Sequence, residues 1–293
     1  MSLSTPVQQI NSPSPGVELY VKREDLNHPT ISGNKFRKLK YNLLAAREAG
    51  KATLLTFGGA FSNHIYATAA AGKAYGFKTI GVIRGEEQLP LNATLSFAQS
   101  CGMQFHYMDR STYRKKQEAD VIEGLKQKYG SFYLIPEGGT NTLAIKGCTE
   151  ILSEREKEEF NYFCLAVGTG GTMAGIIRSL QGKEKIIGFS SLKGDFLQDE
   201  VNKLFKQYNF QNHPNWIINN DFHFGGYAKV KPQLMEFIHA FESKEGFQLD
   251  PIYTGKALYG IYSLIEQGYF PEGSKILFIH TGGLQGRKGF GLD

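Results

Sequence analysis

A lysine set behind a glycine turn, Ser32-Gly33-Asn34-Lys35, and a run of small residues far downstream, Val167-Gly168-Thr169-Gly170-Gly171-Thr172, are the two places where residue types most invite chemistry. The second run follows the apolar stretch Tyr162–Val167 and precedes Met173-Ala174-Gly175-Ile176-Ile177, so it reads as strand, glycine turn, helix. Such a turn aims free backbone N–H groups at an anion. An amine and an anion cradle together suit a ligand with an aldehyde and a phosphate, and pyridoxal 5′-phosphate is the common cofactor that carries both. The glycine run is not a nucleotide loop of the Lys-Ser/Thr kind, since neither dipeptide follows its last glycine. It also lacks the spaced dinucleotide fingerprint with its downstream acid.

Each candidate has a plain structural reading beside the functional one. Lys35 lies in the basic cluster Asn34-Lys35-Phe36-Arg37-Lys38-Leu39-Lys40, which suits a surface helix; its place after a glycine turn with a cap supplied by Ser32-Gly33-Asn34 suits a nucleophile whose pKa is lowered by neighbouring cations. Gly58-Gly59-Ala60-Phe61-Ser62-Asn63-His64 reads as the end of a strand and the start of a helix, where Ser62 and Asn63 could hold a carboxylate or merely cap the helix. His64 fits a packing role as well as a catalytic one. Tyr227 and Tyr253 each sit beside glycines at a predicted loop or helix entry and could move a proton, although 15 tyrosines make such a placement easy by chance.

These residues need rigid elements to hold them. With 41% hydrophobic and 21% charged residues in 293, the chain can bury a full core of one large or two moderate domains. From Ala52 onward, short β-rich runs alternate with amphipathic stretches, the pattern of a parallel sheet with crossover helices. Strands are predicted at Ala52–Phe57, Lys78–Arg84, Gln104–Met108, Tyr133–Ile135, Phe163–Val167, Lys185–Phe189, Trp216–Asn219 and Lys275–His280. The clearest helices are Asn63–Tyr75, Ala93–Cys101, Lys115–Tyr129, Leu143–Glu154, Thr172–Leu180, Gln198–Tyr208, Pro232–Lys244 and Lys256–Gln267. The charged run Ser153–Glu159 is either an internal boundary or a solvated helix end. Ligand groups are expected at the carboxyl ends of the strands, where Gly58-Gly59, Glu137-Gly138-Gly139, Gly168–Gly171 and Thr281-Gly282-Gly283 fall.

The net charge of +5 is dispersed, with no arginine-rich arm, which speaks against a nucleic-acid partner. No apolar run approaches membrane-span length, and the polar, proline-bearing segment Met1–Gly16 does not read as a secretory signal. Cys101, Cys148 and Cys164 include no CxxC pair, so they read as reduced thiols of a cytoplasmic protein with no metal site.

Taken together, Val21–Leu26, Gly33–Leu39, Ser62-Asn63-His64, Glu137-Gly138-Gly139, Gly168–Thr172, Tyr253-Thr254-Gly255-Lys256 and His280–Gly283 resemble the family of pyridoxal-phosphate enzymes that contains D-cysteine desulfhydrase and 1-aminocyclopropane-1-carboxylate deaminase. The resemblance covers nearly the whole chain. It implies an α/β fold of two open, twisted, mainly parallel sheets with flanking helices, tryptophan synthase β-like (fold type II). The larger, cofactor-binding domain would comprise 1–38 and 149–293, and the smaller one 39–148. Lys35 would carry the cofactor as a Schiff base, Asn63 would bond its ring hydroxyl, Gly168, Thr169, Gly170, Gly171 and Thr172 would wrap its phosphate, and Thr281 would face its ring nitrogen. Ser62, Asn63 and His64 would receive the carboxylate of a small amino-acid substrate.

The implied reaction is removal of the α-proton by Lys35 or Ser62, loss of a β-substituent, and hydrolysis to a 2-oxo acid and ammonia, with Tyr227 or Tyr253 assisting proton transfer. A homodimer is implied by analogy alone. The chain departs from the family at Thr254, where the ring-opening deaminases carry glutamate, at Ala228 in place of glycine, and in an abbreviated N-terminus; the Tyr-Thr-Gly-Lys pattern is closer to the desulfhydrases. Two other classes stand as alternatives: a non-catalytic protein that binds the cofactor or another phosphate ligand, and a nucleotide-binding oxidoreductase, which the incomplete fingerprint disfavours.

Overall fold

The alternating apolar runs fold into two sheets in the computed structural model, which describes residues 4–292. In chain order the strands are β1 (Val7–Ile10), β2 (Val17–Lys22), β3 (Thr53–Gly58), β4 (Lys78–Arg84) and β5 (Met103–Met108). β6 (Tyr133–Ile135), β7 (Tyr162–Val167), β8 (Lys185–Ser190), β9 (Trp216–Asn219) and β10 (Ser274–Ile279) follow. The first six helices are α1 (Asn34–Glu48), α2 (Asn63–Tyr75), α3 (Ala93–Ser100), α4 (Arg110–Arg114), α5 (Ala119–Tyr129) and α6 (Thr142–Cys148). The rest are α7 (Glu154–Glu159), α8 (Gly171–Leu180), α9 (Leu197–Gln207), α10 (Pro232–Glu245) and α11 (Thr254–Glu266).

One sheet has the order β1-β2-β10-β7-β8-β9 and the other β5-β4-β3-β6. Every pairing is parallel except that of β1 with β2. The expected α/β class with two mainly parallel sheets is therefore what the chain adopts. Parallel strands covered on both faces read as continuous apolar runs, and β7 is buried at all six positions.

The departures have local causes. β1 and β2 were not expected, because proline and polar residues mask the alternation of buried Val17, Leu19 and Val21. The helix expected over Lys115–Tyr129 begins only at Ala119, as α5, and an unexpected short helix, α4, precedes it, capped by Asp109, whose side chain accepts from the Ser111 and Thr112 N–H groups. Likewise, the helix expected over Leu143–Glu154 ends at Cys148, and Ser153 with Glu156 forms a capping box that starts α7. The charged run is thus a short helix whose Glu156 is drawn inside by a 2.6 Å ion pair with buried Lys22.

The segment that carries Lys35 is fixed from three sides. Gly33 has φ 71°, and a Cβ there would lie 2.0 Å from the Thr281 carbonyl oxygen at the end of β10. Its N–H donates to the Glu24 carbonyl at 3.1 Å and to Asn27 Oδ1 at 3.0 Å, while the Asn34 N–H donates to Thr281 O at 3.1 Å. Gly33 is itself the cap of α1, with no side chain in the capping role expected of Ser32 or Asn34. Behind it, fully buried Glu24 accepts both Nε and Nη2 of buried Arg37 at 2.8 Å, as well as Thr5 Oγ1 at 2.7 Å. On the far side, a Cβ on Gly147 of α6 would lie 2.0 Å from the Arg37 carbonyl oxygen. Because a side chain at Gly33 meets both a left-handed backbone and a fixed carbonyl, Gly33→Ala is expected to cost about 2–5 kcal/mol. A chemical-denaturation midpoint equal to that of the parent would refute this.

Candidate active site

The carboxyl ends of β3, β6, β7 and β10 open onto one cavity of about 420 Å³ between the two sheets. Lys35, Ser62, Asn63, His64, Gly168, Thr169, Gly170, Thr172, Tyr227, Tyr253 and Thr281 all line it. Gly171 stands just behind the wall, where a Cβ would be 2.8 Å from Thr140 Oγ1 and 3.2 Å from Lys38 Nζ. Residues read as separate motifs along the chain therefore share one space.

Lys35 is half-buried as a residue, but its amine lies deep in the wall, and burial with the charge of Lys38 brings its pKa down to about 7. Its one hydrogen bond among the described residues is a long one, 3.4 Å to Asn34 Oδ1. One helical turn on, Lys38 is almost wholly buried and donates to Gly138 O at 3.1 Å, Thr140 Oγ1 at 3.0 Å and Thr169 Oγ1 at 3.4 Å. All three acceptors are neutral, no described carboxylate pairs with it, and burial lowers its pKa as well. Two buried amines without a counter-charge make this end of the cavity a site for an anion. The first turn of α8 adds to it: its cap is Gly170 at φ 76°, and no side chain accepts from the free N–H groups.

Ser62 caps α2, accepting from His64 N at 3.2 Å and Ile65 N at 3.3 Å. Both lone pairs of the hydroxyl are thereby engaged, so it can still donate a hydrogen bond into the cavity but is poorly placed to take a proton. Asn63 Oδ1 accepts from Gln285 Nε2. The His64 ring is buried, with Nε2 2.7 Å from Thr56 Oγ1. Thr56 spends its only hydroxyl proton on Ile135 O at 2.9 Å, which makes Nε2 of His64 the donor and leaves Nδ1 an acceptor without a partner among the described residues. Burial and the charges of Lys35 and Lys38 hold the pKa of His64 well below its ordinary value. In this tautomer the neutral ring offers a lone pair and no N–H at Nδ1.

Tyr253 caps α11, with its ring 3.2 Å from where a Cβ on Gly168 would stand. Tyr227, 38% exposed at the mouth, has its ring centroid 6.1 Å from that of Tyr253. Burial raises both phenol pKa values, most strongly for Tyr253, so both are neutral donors at ordinary pH. Thr281 lines the cavity, and its carbonyl accepts from the start of α1. Thr254 does not line the cavity: it is fully buried and bonds Asp250 Oδ1 at 2.7 Å.

The family model for pyridoxal-phosphate dependent enzymes matches residues 3–282. The chain belongs to that family. A relative from Pyrococcus furiosus, provisionally named a 1-aminocyclopropane-1-carboxylate deaminase, is 34% identical over 98% of this chain and 92% of its own length. The bifunctional D-cysteine desulfhydrase/1-aminocyclopropane-1-carboxylate deaminase of Arabidopsis thaliana is 33% identical over 97% of this chain and 77% of its own. A solved structure of an ACC deaminase homologue superposes with a TM-score of 0.82 at 31% identity, covering 99% of this chain and 93% of the other.

As a pyridoxal-phosphate enzyme of fold type II, the chain offers groups that fit the cofactor: a low-pKa amine for its aldehyde, and uncapped N–H groups with the cation of Lys38 for its phosphate. Lys38 was visible in the sequence only as part of the basic cluster, and its spacing of three from Lys35 was the signal that placed both on one helix face. Arg84, at the carboxyl end of β4, and Glu137, held by Tyr113 Oη at 2.9 Å and Lys116 Nζ at 3.1 Å, also line the cavity. The strand-end position of Arg84 was the cue that should have marked it.

The pKa of Lys35 has a kinetic consequence. Below it the amine is protonated and unreactive; above it the free base is already fully formed. The rate at which the cofactor-free protein takes up pyridoxal phosphate, followed by growth of the near-visible absorption band, is expected to rise between roughly pH 6 and 8 and then level off. An ordinary lysine, with pKa ~10.4, would give a rate still climbing about tenfold per pH unit at pH 9. That outcome would contradict the assignment.

Proposed function

We propose that this enzyme is a lyase or deaminase for a small amino acid, most like D-cysteine desulfhydrase, converting its substrate with water to a 2-oxo acid, ammonia and the released β-substituent. One observation carries the proposal: a deep amine with pKa about 7 shares a single cavity with the βα turn that starts α2 and with two neutral phenols. When bound, the cofactor supplies an electron sink for the bond broken at the substrate α-carbon.

The residues divide the remaining work. Lys35 Nζ holds the cofactor and, once displaced by the substrate amine, is the base for the α-proton, since Ser62 is already occupied as an acceptor. The Ser62 hydroxyl and the start of α2 bind the substrate carboxylate, and Asn63 orients the cofactor ring. Gly168 to Thr172 and Lys38 hold its phosphate. Thr281 faces the ring nitrogen with a neutral hydroxyl. Tyr253 and Tyr227 protonate the leaving group as it departs.

In this reading residues 1–38 and 149–293 form the cofactor-binding domain and 39–148 the smaller one. The strands of the six-stranded sheet come from the first two segments and those of the other sheet from the third, and α1 spans the junction. The enzyme is a cytoplasmic homodimer by family analogy; no helix among the described residues is long and apolar enough to cross a membrane. The second reading, 1-aminocyclopropane-1-carboxylate deaminase, is favoured by the name of the Pyrococcus furiosus relative, while the name of the Arabidopsis thaliana relative carries both activities. The Tyr253-Thr254-Gly255-Lys256 pattern, with threonine where ring-opening enzymes carry glutamate, supports the desulfhydrase reading.

A panel of D- and L-amino acids with the cyclopropane substrate, scored for ammonia and 2-oxo acid, separates the cases. Sulfide, ammonia and 2-oxo acid in equal amounts from D-cysteine are expected. Turnover of the cyclopropane substrate alone would select the second reading, and no product from any compound would reduce the protein to a cofactor-binding one.

A further inference from the structure

The segment that carries Tyr227 has no regular structure of its own. Phe224, Gly225, Gly226 and Ala228 all have positive φ, at 54°, 99°, 111° and 54°, and at Phe224 and Ala228 a side chain must tolerate a left-handed backbone. Its internal hydrogen bonds are few: the Gly226 N–H donates to His223 O at 3.0 Å, the Lys229 N–H to Gly226 O at 3.1 Å, and the Gly225 N–H to His223 Nδ1 at 2.8 Å. Such a loop needs an outside tether to keep one shape.

Lys256 on α11 supplies it. Its side chain is buried, with the residue 1% exposed, and Nζ donates to His223 O at 2.9 Å and to Gly226 O at 2.8 Å. These carbonyls are the acceptors of the loop's own two turns, so one ammonium closes both. Among the described residues no carboxylate forms an ion pair with it. The charge of Asp250 favours the ammonium form against burial, but both printed hydrogen bonds of Nζ go to the loop carbonyls, so release of the loop would leave a buried donor without its acceptors. Three positions earlier on the same face, Tyr253 caps α11 and enters the cavity.

We propose that Lys256 is a positioning residue that straps the loop from His223 to Gly226 onto α11 and so sets Tyr227 against Tyr253 over the cavity. The catalytic half of this inference rests on the role given above to Tyr227; the structural half does not.

Two readings test it in Lys256→Met holoenzyme. The first is tryptic cleavage after exposed Lys229, compared with cleavage after exposed Lys203 in α9; the bond after Lys231 is protected by Pro232. Cleavage after Lys229 is expected to speed up about tenfold or more while cleavage after Lys203 and the cofactor absorption band are unchanged. The second is a double-mutant cycle: Lys256→Met lowers kcat with little change in KM, and the pair with Tyr227→Phe is no slower than Tyr227→Phe alone. Unchanged cleavage after Lys229, or equal acceleration at both sites, overturns the strap. Additive losses in kcat overturn the positioning role. If Tyr227→Phe alone leaves kcat intact, the proton-carrier reading of Tyr227 fails while the proteolysis still decides the strap. Where Lys256→Met does not fold, Lys256→Gln, which is uncharged and shorter but keeps an amide NH2, takes both readings.

Discussion

The contact of Gly33 with the Thr281 carbonyl is the constraint on which the site depends. It presses the start of α1 against the carboxyl end of β10 at a distance no side chain can occupy, and so decides where Lys35 points. A residue with a Cβ would push α1 outward and carry the amine with it. The second close approach, Gly147 on the Arg37 carbonyl, blocks that movement from the other side. Between the two, the Arg37–Glu24 pair fixes the same segment inside the core, where loss of one partner costs about 3–5 kcal/mol because the other charge is left buried alone. Rigid backbone, more than side-chain packing, therefore holds the reactive group.

Burial of amines is the second theme. Lys35 and Lys38 sit in one wall with no carboxylate among the described residues to balance them, and their charge, together with burial, keeps His64 neutral. A cavity of this kind is poorly satisfied alone. A phosphate near Lys38 balances its charge, and condensation at Lys35 with an aldehyde uses the unprotonated amine that burial favours. The unfavourable electrostatics of the cofactor-free cavity and the affinity for the cofactor are one property seen from two sides.

Much of this was legible in the sequence, because parallel strands announce themselves as apolar runs and their carboxyl ends as glycines. The turns after β3, β6, β7 and β10 were located from that pattern, and the structure gathers them round one cavity. What escaped was set by contacts between distant residues. β1 is stabilised by pairing with β2, and β2 by pairing with β10 as well, which no local period reveals. The cap of α1 went to Gly33 and not to Ser32, because the Thr281 carbonyl forced the left-handed turn one residue later. Lys38 and Lys256 look like ordinary surface lysines until burial and their carbonyl partners are known, and Thr254 looked like a residue of the site until its bond to Asp250 turned it away. Ser62 is the helix cap that its place before α2 suggested, and it also lines the cavity.

The central claim is that Lys35, and no other lysine, bonds the cofactor. Reduction of the holoenzyme with borohydride followed by peptide mass mapping tests it directly. The account predicts the phosphopyridoxyl group on Lys35 alone, with Lys38 unmodified despite lying one turn away; label on Lys38, or on any surface lysine in place of Lys35, would contradict it.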